Sequence, residues 1–152
     1  MRATLRCLSL FGISVVVASF GCSRPANKWV DRRPPTFPAS GVVTLDGTAV
    51  EDAFVAFDSL QHNLTAVGRT DAQGRFVLKT FQPGDGLVAG DHRVRIEKRE
   101  VTGYNAEGLP LGEVNRLPER YASKSSGLQA TSEPKSGNSF QFELVSGGPV
   151  AK

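Results

Sequence analysis

The stretch TDAQGRF, residues 70–76, decides the fold because it reverses the chain between two extended segments. Asp71 can accept hydrogen bonds from the backbone N–H groups that follow it, and Gly74 can adopt the positive φ that a tight reversal needs. Residues 65–69 supply an incoming strand, and residues 76–80 supply an outgoing strand with apolar side chains two positions apart. We therefore predict a β-hairpin at this point of the chain.

Short alternating segments punctuated by turn residues continue on both sides of this hairpin. This pattern is typical of an all-β sandwich, and no segment has a convincing helical period. Asp46-Gly47 is a strong signal for a tight turn. Residues 133–138 contain Pro and Gly, and we predict that they close a second hairpin. The further predicted strands are residues 41–45, 53–57, 91–97, 128–132 and 139–144.

The alternation also predicts which side chains form the core. Burying one large apolar side chain contributes about 1.5–3 kcal/mol. A one-residue slip would turn the apolar face of a strand to water, so the pattern itself fixes the register. The predicted inward set is Val43, Leu45, Val55, Phe57, Phe76, Leu78, Val94, Ile96, Leu128, Phe140 and Phe142.

The first 21 residues are predicted as an export signal. Two arginines precede a largely apolar run at residues 8–20. The run is shorter than the roughly 20 apolar residues that cross a bilayer, although an uncleaved membrane anchor is the alternative. Ser19-Phe20-Gly21-Cys22 resembles the lipobox of bacterial lipoproteins, in which the cysteine thiol is lipidated. The resemblance implies that Cys22 anchors the protein to a membrane facing the periplasm or the cell exterior.

Composition divides the rest of the chain into three parts. We predict a Pro-rich flexible tether at residues 22–38, one β-sandwich domain at residues 39–145 and a disordered tail at residues 146–152. The chain has 18 Lys and Arg against 15 Asp and Glu. Loss of the two signal-segment arginines leaves 16 against 15, a net charge of +1. Nucleic acid is therefore not a predicted partner.

The sequence offers no catalytic residues, metal ligands or cofactor motif. Its two histidines, His62 and His92, lack a Glu at the spacing of a zinc site. His92 shares the predicted inward face of its strand, so we interpret it as a hydrogen-bonded core or rim histidine. Residues 81–90 are glycine-rich but lack the lysine and the following helix of a phosphate-binding loop.

The longest connection runs from residue 99 to residue 127. Long loops on sandwiches often carry function. The interpretation that we favour is that Leu117, Pro118 and Tyr121 fold back over an open edge of the core. In that arrangement the tyrosine hydroxyl needs a backbone partner.

These segments, taken in order, resemble the carboxypeptidase regulatory-like domain, in the small bacterial lipoprotein form of the planctomycete type. The resemblance implies a transthyretin-like (prealbumin-like) β-sandwich of about seven antiparallel-rich strands. It also implies a non-catalytic role as a folding or binding accessory. The matching residues are 41–47, 53–57, 70–76, 83–90, 117–121 and 126–128.

The leading functional hypothesis is a non-enzymatic envelope lipoprotein, a binding or structural accessory module whose loops or outer sheet face meet an extracytoplasmic partner such as an envelope protein or a glycan. If Val55 and Phe57 point inward, Phe54 points outward and becomes a candidate partner contact; the alternative is that Phe54 packs under residues 99–127. A second hypothesis is carbohydrate binding. An unrecognised hydrolase is the third. The aromatic residues that suggest carbohydrate binding are Trp29, Tyr104 and Tyr121.

Overall fold

The computed structural model of the protein describes residues 32–147, and the described residues from Pro34 onward belong to one compact unit. Within them lie twelve β-strands, one 3-10 turn and no α-helix. The predicted signal, Cys22 and most of the predicted tether and tail fall outside the described residues. The elements are β1 (Thr36–Phe37), β2 (Ala39–Leu45), β3 (Thr48–Ala49), β4 (Phe54–Ser59), β5 (Thr65–Arg69), β6 (Arg75–Val77), β7 (Leu87–Val88), β8 (Gly90–Glu97), β9 (Arg99–Tyr104), β10 (Pro110–Asn115), η1 (Glu119–Tyr121), β11 (Gln129–Ser132) and β12 (Asn138–Leu144).

Two sheets face each other across the core. The first has the strand order β11-β8-β4-β5 and is antiparallel throughout. In the second, β2 lies between β12 on one side and both β3 and β6 on the other. β12 runs parallel to β2, with Asn138 opposite Ala39 and Leu144 opposite Leu45. The predicted all-β sandwich is confirmed.

The core joins the sheets through aromatic rings. Phe57 of β4 approaches Phe140 and Phe142 of β12, with ring centroids 5.0 and 5.8 Å away. It also lies 6.2 Å from the ring of Phe76 in the second sheet. All of the predicted inward set belongs to this core, with Leu45, Leu128 and Phe140 packed at its margin. The structure adds Leu87 and Val88, which the non-alternating glycine-rich segment concealed.

The turn at residues 70–76 has the predicted chemistry. The Asp71 carboxylate oxygen Oδ1 accepts the N–H groups of Gln73 and Arg75 at 2.9 and 2.8 Å. Gly74 has φ 72°. Thr70, whose role the sequence did not show, is buried and accepts the Ala53 N–H on its hydroxyl at 2.7 Å. The turn is thereby fixed to the chain just before β4.

The two strands joined by this turn separate soon after it. β5 pairs with β4 in the first sheet, whereas β6 pairs with β2 in the second. A single antiparallel bridge between Val67 and Lys79 links the two arms of the hairpin. The reversal is therefore a corner between sheets.

The predicted second hairpin is wrong. β11 pairs with β8, and β12 lies parallel to β2, so residues 133–138 cross from one sheet to the other. The Asn138 side chain closes this crossing by accepting the Glu133 N–H at 2.9 Å and donating to the carbonyl groups of Glu133 and Lys135. Alternation correctly fixed the inward faces of both strands. It did not determine which strand each would pair with.

Each of the seven predicted strands overlaps an observed one, and the other five were not predicted. β1 lies within the predicted tether and pairs with β7. β9 and β10 form a hairpin inside the long connection. Beyond that hairpin, Leu117 and Tyr121 are buried as predicted. The Tyr121 hydroxyl accepts the Val145 N–H at 3.0 Å, which confirms the expected backbone partner.

Candidate functional site

Phe54 lies on the outer face of the first sheet. Its neighbours Ala53 and Val55 are fully buried, while Phe54 itself is half-buried. It lines a groove of about 420 Å³ together with Val67 and Val77. Val77 is 61% exposed. The floor of the groove is thus apolar and reaches solvent.

The groove forms where β5 and β6 diverge. Gly68 lies at this divergence, and a Cβ atom on it would stand 2.8 Å from the Val77 carbonyl oxygen. A side chain at position 68 would therefore push the two strands further apart. Glycine is required here for close approach of the backbones.

Basic side chains border the groove. Arg69 and Lys79 contribute to its lining, and Arg69 donates to the Asp52 carboxylate at 2.7 Å. Both partners of this ion pair are more than half exposed, so the pair adds little stability. Pro83 and Gly84 complete the lining, and residues 99–127 contribute nothing to it. The groove at Phe54 is therefore formed by elements other than the long connection at residues 99–127.

The buried histidine is part of the core. His92 is 1% exposed, and its Nε2 lies 3.0 Å from the Val88 carbonyl oxygen, to which it donates. Burial lowers the pKa of His92 below its ordinary value, although the bond to Val88 opposes this effect. Its Nδ1 has no hydrogen-bond partner among the described residues. The prediction of a hydrogen-bonded core histidine is confirmed.

The second histidine lies elsewhere. His62 is exposed in the loop after β4, where its backbone N–H donates to the Ser59 hydroxyl at 3.1 Å. Across residues 32–147, no group of three or more His, Cys, Asp or Glu side chains is placed to hold a metal ion.

The glycine-rich segment is organised by an internal carboxylate. Asp85 accepts the backbone N–H groups of Thr80, Phe81 and Gln82 at 2.7, 2.9 and 3.0 Å. A phosphate cradle would use such N–H groups for its ligand. In this loop they are already satisfied by the protein.

The hairpin of β9 and β10 was missed because it lacks clean alternation. Register shifts interrupt its pairing near Gly112. The residues at the tip could have indicated a turn, because the Asn105 side chain accepts the N–H groups of Glu107 and Leu109 at 3.1 and 2.8 Å. The hairpin exposes five large apolar side chains: Val101, Tyr104, Leu109, Leu111 and Val114.

The aromatic residues that suggested sugar binding are not equivalent. Tyr121 is 1% exposed and closes the core, whereas Tyr104 is 65% exposed on the hairpin. Trp29 and the predicted lipidation site Cys22 lie outside the described residues. Among the residues that are described, no helix is long and apolar enough to span a bilayer.

Comparisons with known proteins do not identify the chain. No family model matches it, and no curated protein matches it. A search of solved structures finds similarity to a 9R-lipoxygenase from Cyanothece PCC8801, at 15% identity and a TM-score of 0.41. The match covers 75% of this chain and only 17% of the lipoxygenase chain. Similarity at this level supports no statement about the activity of this protein.

Proposed function

We propose that the protein is a non-catalytic lipoprotein of the bacterial cell envelope whose prealbumin-like β-sandwich binds a protein partner. Lipid on Cys22 anchors it to the membrane, and the residues between Cys22 and β1 tether the domain. The observation that carries the binding role is the apolar groove at Phe54. Its accessible floor distinguishes it from the rest of the outer sheet face, where charged side chains alternate along β8.

Burial of the groove would provide binding energy. Covering an aromatic side chain such as Phe54 and its aliphatic neighbours removes apolar surface from water, at about 25 cal/mol per Å². Aromatic side chains in small pockets are frequent centres of binding energy in interfaces. Phe54 is already half-buried, so it is held in place before a partner arrives.

The rim indicates the chemistry of the partner. Lys79 has no ion pair with any described residue, and the Arg69 guanidinium has a single exposed acidic partner. An extended protein segment with an apolar side chain beside an acidic one would complement this groove. The apolar group would contact Phe54 and Val77, and the acidic group would approach Lys79.

Crosslinking in native envelopes tests the groove directly. We expect Phe54→Ser to abolish a crosslinked complex formed by the wild-type protein, because the central apolar contact is lost. Val101→Ser is the matched control, since it removes an exposed apolar side chain from the hairpin. A complex retained in Phe54→Ser and lost in Val101→Ser would transfer the binding role to the hairpin and contradict the proposal.

Membrane fractionation tests the anchor separately. Cys22→Ser removes the thiol that would carry the lipid, so we expect the protein to move from the membrane fraction to the soluble fraction. A carbonate wash distinguishes anchored from loosely attached protein. Retention of the variant in washed membranes would mean that residues 8–20 remain as an uncleaved anchor.

A further inference from the structure

Two exposed cations share neighbouring cavities at the opposite end of the outer sheet face. Arg93 lies in β8, between Asp58 of β4 and Gln129 of β11 in the strand register. Lys124 follows η1 in the loop that leads to β11. Both side chains line a cavity of about 450 Å³ and a second one of about 200 Å³. Neither cavity shares a lining residue with the Phe54 groove.

Neither Arg93 nor Lys124 forms an ion pair or a side-chain hydrogen bond with any residue from 32 to 147. The adjacent cation on β8 behaves differently, because Arg95 donates to Asp58 at 2.9 Å. Because neither cation has an ion pair among these residues, their charges leave a positive potential that an anion would relieve, although Asp58 attracts Lys124 from farther away.

The carboxylates nearest to these cations are already engaged. Asp58 accepts Arg95 on one carboxylate oxygen and the Thr65 hydroxyl on the other, at 2.9 and 2.7 Å. Burial raises the pKa of Asp58, but these hydrogen bonds together with the charges of Arg95 and Lys124 outweigh it and the pKa is lowered. Asp91, two residues before Arg93, accepts the Thr131 hydroxyl at 2.7 Å.

The larger cavity combines positive charge with neutral polar groups. None of its seven lining residues is acidic. Ser123 and Ser125 place their hydroxyl oxygens 2.8 Å apart at its wall, and Gln129 contributes an exposed amide. Such groups hydrogen-bond to polyols. The lining contains no aromatic ring on which a nucleic-acid base could stack, which disfavours a nucleotide.

We propose that Arg93 and Lys124 bind the anionic group of an acidic glycan, a carboxylate or sulfate ester carried on a sugar. The anionic group is placed between the guanidinium and the ammonium. The sugar hydroxyl groups extend along Ser123, Ser125 and Gln129. The smaller cavity, which is also lined by His62 and by the Asp58 carboxylate that accepts Arg95, gives room for the next sugar unit. This site is independent of the proposed protein partner.

Binding of a labelled heparin-derived hexasaccharide to the whole protein in detergent micelles tests the site. We expect Arg93→Gln with Lys124→Gln to weaken binding by about tenfold at low salt, since two ion pairs are lost. Arg32→Gln with Arg75→Gln is the matched control, because it removes the same charge from two other exposed positions. The control should bind as the wild type does. Equal weakening in both double variants would overturn the proposal by showing attraction to net charge alone.

Competition separates a glycan from a free ion. Oligogalacturonate, which carries carboxylates on sugars, should displace the labelled probe, whereas a neutral hexasaccharide should not. Displacement by sulfate at the same concentration of anionic groups would show that the sugar adds nothing, and would contradict the glycan assignment. Amide chemical shifts give a readout that needs no variant. The hexasaccharide should shift the signals of Ser123, Ser125 and Gln129, and unchanged signals there would overturn the site.

Discussion

Two connections cross between the same two sheets, and they do so in different ways. Residues 70–76 lead from β5 to β6, and residues 133–138 lead from β11 to β12. Each is closed by a side chain that accepts backbone N–H groups, Asp71 in the first and Asn138 in the second. Asp71 is exposed, while Asn138 is buried and uses both its oxygen and its nitrogen.

The consequences for the flanking strands are opposite. The first connection keeps its arms antiparallel, with reciprocal hydrogen bonds between Val67 and Lys79 at 2.8 and 2.9 Å. The second connection places β12 parallel to β2 in the other sheet, so β11 and β12 do not pair with each other. Turn chemistry therefore specifies that the chain reverses or crosses. The pairing that follows depends on which sheet has a free neighbour position.

Substitution of the glycine in each connection should have the largest effect on stability. Gly74 and Gly137 both have positive φ, 72° and 83°. An added Cβ would lie 2.5 Å from the Val43 carbonyl oxygen at Gly74, but would meet nothing within 4 Å at Gly137. We expect Gly137→Ala to lower the free energy of unfolding by about 1 kcal/mol, from backbone strain alone. Gly74→Ala should cost about 3 kcal/mol or more, because overlap adds to the strain.

Urea unfolding of the two variants measures this difference. The strain from positive φ is common to both variants. The difference between their free energies of unfolding therefore measures the contact of the first turn with β2. The Gly74 carbonyl accepts the Val43 N–H at 2.8 Å, which makes displacement of the turn costly. Similar losses in the two variants would mean that the first turn moves away from β2 without penalty.

The two connections also differ in how much of them the sequence predicts. Seven strands and the inward set were predictable, because alternation reports one buried face. The Asp71 and Gly74 roles were predictable from local chemistry. The parallel pairing of β12 was not, since it depends on contacts nearly 100 residues apart in the chain. The same holds for the Thr70 hydroxyl, which bonds to Ala53 across the tertiary structure.

The two surface sites were also predictable only in part. Phe54 could be placed on the outer face from its neighbours in β4. Its groove arises from the divergence of β5 and β6, which no local pattern encodes. The cavities at Arg93 and Lys124 combine β8 with a loop about 30 residues later. The sequence places Arg93 in a strand and Lys124 in a loop, but no local pattern shows that they share a cavity.

Acidification should distinguish the second connection from the first, with a smaller effect than Gly74→Ala. Ser132 ends β11 immediately before residues 133–138, and its hydroxyl donates to the Val88 carbonyl at 2.7 Å. His92 donates to the same carbonyl through Nε2. Protonation of His92 would place an N–H and a charge at its buried Nδ1, which has no partner among the described residues. The end of β11 therefore shares the Val88 carbonyl with His92, a side chain that resists protonation in the folded protein.

The sign of the effect follows from the lowered pKa of His92 in the folded protein. Between that pKa and the ordinary value of 6.5, the unfolded chain binds more protons than the folded one, so stability rises with pH. The contribution is complete above about pH 6.5 and is lost as the pH falls toward the folded-state pKa. One group limits the slope to about 1.4 kcal/mol per pH unit. Urea unfolding between pH 7 and pH 5 should reveal it.

Two variants assign this slope to His92. His92→Gln retains an amide that can donate to Val88 but does not titrate, so stability should become nearly flat between pH 7 and pH 5. His62→Gln keeps the buried imidazole, so a positive slope should remain, and it should not become steeper because His62 contributes to the lowered pKa of His92. The carboxyl groups with lowered pKa, such as Asp58, titrate below this range and should not contribute. A slope that persists in His92→Gln would mean that another group near the second connection takes up the proton.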